Sequence, residues 1–406
     1  MQSTDLIIIG GGIMGLATAY AFAGRHPGKA ALILEKETEP GFHQTGHNSG
    51  VLHSGIYYSP GSLKAAHCRE GKKALENFCI SEGIEFKTCG KVIVAAQAGE
   101  LPGLHALYAR GRAGGVRCEL ISPSRLQELE PHAAGIEAIH IPDAGVVDFR
   151  QVCRRLKERL EEAGVPLLLG ARVTALTETA RGVVVESTRG DFSAQYVVNC
   201  AGLQADRVAS WASRPSPVKI VPFRGEYFRL RPTARRLCRA LIYPVPDPRF
   251  PFLGVHFSRT VAEAVTCGPN AVLALAREGY EKWSLDLKDL SETLTYPGFL
   301  RLAARFWRTG LEEIWRSLSI EAFVRSLQRL VPEVSRDDLL PAPAGVRAQA
   351  VTPEGTILND FAFLETPRII NLLNAPSPAA TASLSLGKAV AAKLTRRLGA
   401  PSRSTT

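Results

Sequence analysis

The first 36 residues leave the chain little choice of fold. Asp5-Leu6-Ile7-Ile8-Ile9 is a short apolar run rich in β-branched residues and reads as a buried parallel strand. Gly10-Gly11-Gly12-Ile13-Met14-Gly15 follows it and matches G-x-G-x-x-G. Ile13 to Gly24 predicts a helix whose alanines let it lie close to a strand, and Ala31-Leu32-Ile33-Leu34 predicts a second strand ending at Glu35 and Lys36. This is a βαβ unit in the context a dinucleotide requires. Backbone N–H groups at the turn and the helix N-terminus suit a pyrophosphate, and an acidic residue about 20 positions beyond the last glycine suits ribose hydroxyls. Gly10, Gly12, Ile13, Met14, Gly15, Glu35 and Lys36 are therefore candidate cofactor contacts. The turn by itself does not separate FAD from NAD.

The next segment does. Thr45-Gly46-His47-Asn48-Ser49-Gly50-Val51-Leu52-His53-Ser54-Gly55-Ile56-Tyr57-Tyr58 is rich in glycine and serine and carries two histidines and two tyrosines. A nicotinamide enzyme has no need of such a loop after its second strand. A flavin enzyme has, because its isoalloxazine ring extends past the pyrophosphate and must be cradled by backbone.

Beyond the loop, helices are predicted over 64–82, 104–111, 124–130 and 149–164. Buried-strand texture returns at Tyr196 to Asn199, ahead of the small pair Ala201-Gly202. Residues 218–272 are strand-rich and aromatic, as in a separate substrate sheet. The expected fold is a two-domain α/β flavoprotein with a mixed-sheet substrate domain. Residues 1–85, 145–215 and 335–400 would form the discontinuous nucleotide half, 86–144 and 216–334 the substrate half, and 401–406 a disordered tail.

The net charge is +10. It is spread along the chain rather than gathered into a groove-reading motif, which argues against nucleic acid and leaves anionic small molecules or a membrane surface as partners. The eight cysteines show no Cys-x-x-Cys pair or metal-ligand spacing, so no metal is expected, and reduced thiols point to the cytoplasm. The N-terminus lacks a basic signal-peptide region, and no apolar run is long enough to span a bilayer. Between Gly298 and Leu330, apolar residues including Leu300, Trp307, Leu311, Ile314, Trp315 and Leu318 recur at helical spacing among Arg301, Arg305, Arg308 and Arg316. Such a helix either packs on the substrate half or lies peripherally on an anionic membrane, such as the inner face of the cell membrane.

The run from Thr45 to Lys64 resembles the L-2-hydroxyglutarate oxidase/dehydrogenase family, within the D-amino-acid-oxidase-like FAD flavoproteins. Cys267-Gly268-Pro269-Asn270-Ala271, Pro343-Ala344-Gly345-Val346-Arg347-Ala348-Gln349 and Asn374-Ala375-Pro376-Ser377-Pro378-Ala379-Ala380-Thr381 carry the same resemblance, in order and over nearly the whole chain. It implies FAD as cofactor, a small dicarboxylate as substrate, and transfer of a hydride from the α-carbon of L-2-hydroxyglutarate to flavin N5. Electrons would pass to a membrane quinone or to oxygen.

That chemistry needs a group to take the hydroxyl proton, and a neutral histidine suits it. His53 is the first candidate and His256 the second, with His47 read as a flavin contact. Two carboxylates need cationic or multi-donor partners. Arg347 leads, with Tyr57, Lys64, Arg224 and Tyr243 as further candidates. Thr45, His47, Asn48, Ser49, Gly50 and Gly345 would hold the flavin. Pro376, Ser377 and Pro378 would present a helix N-terminus to its N1/C2=O edge, and Val173, Ala201 and Gly202 would meet the nucleotide portion. The competing expectations are the same fold acting on an amino acid or glycerol 3-phosphate, and a non-redox nucleotide-binding RNA-modification or assembly factor.

Overall fold

The computed structural model describes residues 1–212, 215–247 and 252–399. The expected tail 401–406 lies outside them.

An eight-stranded sheet forms around the N-terminal strand Gln2–Ile9. That strand pairs in parallel with Ala31–Leu34 on one side and Phe192–Asn199 on the other. Leu167–Leu168 extends the sheet in parallel beyond Ala31–Leu34, and Ile369–Asn374 pairs in parallel with Phe192–Asn199. The chain thus returns three times to the sheet it began. Alternation decides which residue faces which layer. Leu6, Ile8, Ile33, Val198 and Ile370 face a core built with the helices Ile13–Arg25, Leu63–Glu82, Phe149–Glu162 and Ala379–Leu398. Ile7, Ile9, Leu32, Leu34, Val197 and Ile369 face the other side, against Val173–Glu178, Val183–Ser187 and the helix Ala205–Trp211. Both faces are covered at the sheet's centre, so Leu6–Ile9 and Ala31–Leu34 are apolar throughout rather than alternating.

A second, nine-stranded mixed sheet is built from Lys91–Ala95, 119–141 and strands between Lys219 and Val351. Its longest pairing is Lys219–Leu230 against Leu339–Val351, antiparallel, with Phe223 opposite Arg347 and Gly225 opposite Gly345. Leu339–Val351, whose segment was expected in the nucleotide half, thus pairs inside the second sheet while its Gly345–Gln349 stretch borders the cavity described below. A small sheet of Val51–Leu52, Phe86–Thr88 and Gly145–Val147 also forms. All eight cysteines are free thiols.

The segment expected to be helical over 298–330 forms Pro297–Leu318, kinked at Phe306 where φ is −115° and ψ 22°, and Ile320–Gln328. Ser319 separates them: its side chain accepts from the Ala322 N–H and caps the second. The second helix buries Phe323, Val324 and Leu327 in the core of the substrate sheet. The first buries Gly298, Leu302 and Glu313 but leaves Trp307, Leu311, Ile314, Trp315 and Leu318 each about half exposed or more. No helix among the described residues is long and apolar enough to cross a membrane.

Candidate active site

A cavity of about 1090 Å³ runs from the N-terminal glycine turn to the second sheet. At its nucleotide end the backbone is arranged to receive a ligand. Gly10 has φ +106°, and a Cβ there would stand 2.6 Å from the Cys200 carbonyl oxygen. The helix that follows begins at Ile13, and its N-cap residue, Gly12, has no side chain to cap it. Ile13 N–H donates to the Thr45 hydroxyl at 3.1 Å, which ties the loop to the turn. Glu35 is half-committed already. Its two oxygens accept from the backbone N–H of Gly11 (2.6 Å) and of Glu37 (2.8 Å), which fixes the carboxylate beside the turn. Gly12, Met14, Val173, Ala201 and Gly202 also line this end.

Lys36 reaches a cluster that sequence reading missed. Its ammonium contacts Glu37, Glu278 (2.9 Å) and His43 (2.7 Å). The Tyr280 ring, two residues beyond Glu278, stacks on His47 at 4.1 Å. A loop of the substrate half therefore laps over the cradle. Its residues lie more than 200 positions from Lys36, and no local pattern announces the pairing.

In the middle of the cavity, Thr45, His47, Asn48 and Ser49 line one side, Gly345 another, and Pro376, Ser377 and Pro378 a third. Asn48 holds its own loop: its side chain donates to the Thr45 carbonyl and accepts from Gly50 N–H at 2.7 Å. Gly345 meets His47 so closely that a Cβ would lie 2.4 Å from the His47 carbonyl oxygen. Three expected contacts are corrected. Gly15, Gly50 and Arg224 do not border the cavity. A Cβ at Gly15 would stand 1.9 Å from the Gly10 carbonyl oxygen, so this glycine shapes the turn from behind. Gly50 has φ +69° and packs on the Val147 carbonyl, so it sets the direction of the loop. Arg224 is buried and spends its guanidinium on Glu226 and the Glu281 carbonyl, both at 2.8 Å.

The far end is made of side chains. His53, Tyr57, Lys64, Tyr243, His256 and Arg347 all line it. His53 Nε2 lies 3.2 Å from the Ser377 hydroxyl, and its backbone N–H donates to Thr381 Oγ1 at 3.2 Å. His53 thus stands where the loop and the last helix meet. His256 approaches from the second sheet. Its Nδ1 donates to the Gly254 carbonyl at 2.9 Å, which assigns the tautomer and leaves Nε2 as a bare acceptor. Its ring stacks on Tyr243 at 3.9 Å. Burial pushes both imidazoles down to about 3, and the charge of Lys91 adds to the effect in each. Both are therefore neutral at physiological pH.

Arg347 is half-buried, and among the described residues no carboxylate lies within 4 Å of its guanidinium. Nη1 donates to the Asn270 carbonyl at 3.0 Å, and the group lies 5.4 Å from the centre of the Phe252 ring. The Tyr57 hydroxyl is buried without a hydrogen-bond partner, an orphan donor beside the cavity. Lys91, which the sequence did not single out, stands behind this wall, only 3% exposed. Its ammonium sits 4.4 Å from the Tyr57 ring centre and 3.6 Å from that of Tyr243. Its one signal was a charge opening the otherwise apolar strand Lys91–Ala95.

The glycine-lined cradle, the uncapped helix and a cavity larger than a simple substrate needs fit a dinucleotide cofactor with an extended ring. The comparisons agree. The FAD-dependent oxidoreductase (DAO) family profile matches residues 5–393. The L-2-hydroxyglutarate dehydrogenase of Indibacter alkaliphilus is 46% identical over 388 residues, covering 95% of this chain and 97% of that one. The enzyme of the same name from Escherichia coli K12 is 42% identical, covering 98% and 94%, and the mitochondrial one of Homo sapiens 41%, covering 98% and 89%. Among solved structures, the dithionite-reduced, FAD-bound L-α-glycerophosphate oxidase of Mycoplasma pneumoniae superposes with a TM-score of 0.79 at 22% identity, covering 99% of this chain and 96% of that one. Glycine oxidase from Geobacillus kaustophilus gives 0.74 at 18% identity, covering 98% and 95%. These two share the fold. The chain belongs to the DAO family of FAD-dependent oxidoreductases and, within it, to the L-2-hydroxyglutarate dehydrogenase family.

Proposed function

We propose that the protein oxidises L-2-hydroxyglutarate to 2-oxoglutarate and passes the electrons to a quinone at an anionic lipid surface. The observation that carries the first part is the convergence, at one end of the cofactor cavity, of two neutral imidazoles and a half-buried arginine that has no carboxylate partner among the described residues. FAD, when bound, supplies the hydride acceptor. The protein's own groups do the rest. Arg347 receives a substrate carboxylate through a planar fork, and Lys64 and the Tyr57 hydroxyl supply donors for the other. His53 takes the hydroxyl proton as the α-hydrogen leaves, since it is neutral and stands where the Thr45–Gly50 loop meets Ser377. His256 presents Nε2 from the opposite wall and is the alternative acceptor. Tyr243 and Phe252 give this end aromatic walls.

Anaerobic mixing of the yellow holoprotein with L- and D-2-hydroxyglutarate tests this. The L isomer is expected to bleach the flavin band near about 450 nm, and the D isomer to leave it. Bleaching by an amino acid or glycerol 3-phosphate instead overturns the substrate. Colourless protein that takes up no flavin on refolding favours a non-redox nucleotide-binding role.

For the acceptor, the support is the outward stripe Trp307, Leu311, Ile314, Trp315 and Leu318, on a helix that also carries exposed Arg301, Arg305 and Arg308. Soluble monomers rarely expose so many large apolar side chains at helical spacing, and the arginines complement anionic headgroups. Sedimentation with phosphatidylglycerol-containing vesicles is expected, weakened about tenfold by Trp307→Ser with Trp315→Ser. Reduced enzyme that reoxidises faster with oxygen than with a short-chain quinone would make it an oxidase.

A further inference from the structure

Arg347 is held in an unusual way for a half-buried cation. Its Nη1–H donates to the carbonyl oxygen of Asn270 at 3.0 Å. The N–H of the same peptide unit, that of Ala271, donates to Glu313 Oε2 at 2.7 Å. The guanidinium and the carboxylate therefore form an ion pair split by a single amide. Each end polarises the amide in the sense that strengthens the other hydrogen bond, an effect that survives in a dry interior. Glu313 is only 3% exposed, and its second oxygen is taken by Arg316, whose Nε donates to Ser326 at 3.0 Å.

The amide itself cannot swivel. The Asn270 side chain accepts from Glu226 N–H at 2.7 Å and donates to Glu226 Oε2 at 2.8 Å. Glu226 in turn is fixed by Arg224 at 2.8 Å and by Ser317 at 2.9 Å. A direct carboxylate partner would occupy the same N–H groups that an incoming carboxylate needs. The split pair avoids this. It stabilises the cation, fixes one edge of its plane and leaves the remaining donors to the cavity.

We propose that Glu313 is a positioning residue for substrate binding, acting on Arg347 through the Asn270–Ala271 peptide, and that this relay sets the affinity for the substrate carboxylate. Glu313 touches neither cavity nor substrate. It comes from the helix Pro297–Leu318, on the side opposite the exposed stripe. The inference rests on the reading of Arg347 as the carboxylate-binding group.

The test uses holoenzyme and steady-state kinetics with L-2-hydroxyglutarate. Glu313→Gln, which keeps shape and removes charge, is expected to raise KM about tenfold while kcat falls less than about threefold, with flavin content unchanged. Glu313→Asp, which keeps the charge but shortens its reach, is expected to fall between. In an Arg347→Met background, Glu313→Gln is expected to change KM no further, because its effect passes through the guanidinium. If Arg347→Met raises KM but Glu313→Gln and Glu313→Asp do not, the relay is overturned and the arginine assignment stands. An equal rise from Glu313→Gln in both backgrounds overturns it too, since the effect would then be general packing. If Arg347→Met leaves KM unchanged, the arginine assignment fails, and the relay with it.

Discussion

The two ends of the cavity are built from different materials. The nucleotide end presents backbone: a glycine turn, the open start of a helix, and loops pressed together at glycines. The far end presents side chains drawn from a loop, a helix and several strands, and burial works against the charged forms of His53, His256 and Arg347. A backbone site depends on conformations that only a few residues adopt, so it tolerates almost no substitution. A side-chain site depends on charge and reach, so its members fail separately and by degrees.

That difference can be broken at either end. The largest effect is expected at the first. Gly15→Val would force a side chain into the Gly10 carbonyl, since even a Cβ would stand at 1.9 Å. The variant should purify without flavin, read from its visible absorbance, and a yellow variant would contradict the backbone account. Next, His53→Ala should slow anaerobic flavin reduction by about 100-fold or more with cofactor content intact. Unchanged reduction would move the role to His256. Arg347→Lys should raise KM by about thirtyfold, roughly 2 kcal/mol, because a point charge replaces a fork. Equal affinity would remove Arg347 from the pocket.

The smallest effect is a pH dependence. Burial lowers Lys64 to about 8 against the opposing charge of Asp360. Its charge is present below that value and lost above it, so kcat/KM should fall a few-fold as pH rises through about 8. Lys64→Met should abolish this limb. The histidines, held near 3, should give no limb around the usual 6.5.

The same contrast explains what could be read in advance. The glycine turn, Glu35 and the Thr45–Tyr58 loop are contiguous, and their chemistry follows from residue type and spacing. The strands read at Asp5–Ile9 and Ala31–Leu34 were legible because burial on both faces leaves the unbroken apolar runs Leu6–Ile9 and Ala31–Leu34, whereas polar Gln2 to Thr4, which extend the first strand, gave no such signal. Lys91, Glu278, Tyr280 and the Asn270–Glu313 relay were not legible. Each matters through a partner tens to hundreds of positions away, and a lone lysine or glutamate carries no periodicity. Arg224 shows the converse error. It looked like a pocket residue by type, yet the antiparallel register puts it beneath the site, holding Glu226. The amphipathic pattern over 298–330 was legible as a helix. Its split at Ser319 into a covered part and a barer one was not, since the covering residues lie far away in sequence.

The Lys91 amine has one more consequence. Burial pulls its pKa well below the usual lysine value, and among the described residues it makes no hydrogen bond or ion pair. The protein therefore holds this proton loosely behind the far wall of the cavity. A carboxylate bound at that end favours the protonated form, so anion binding is expected to take up a proton and to weaken as pH rises. An affinity for the bound anion that does not change with pH would contradict this. In this sense the wall keeps a place for a proton that arrives with its ligand.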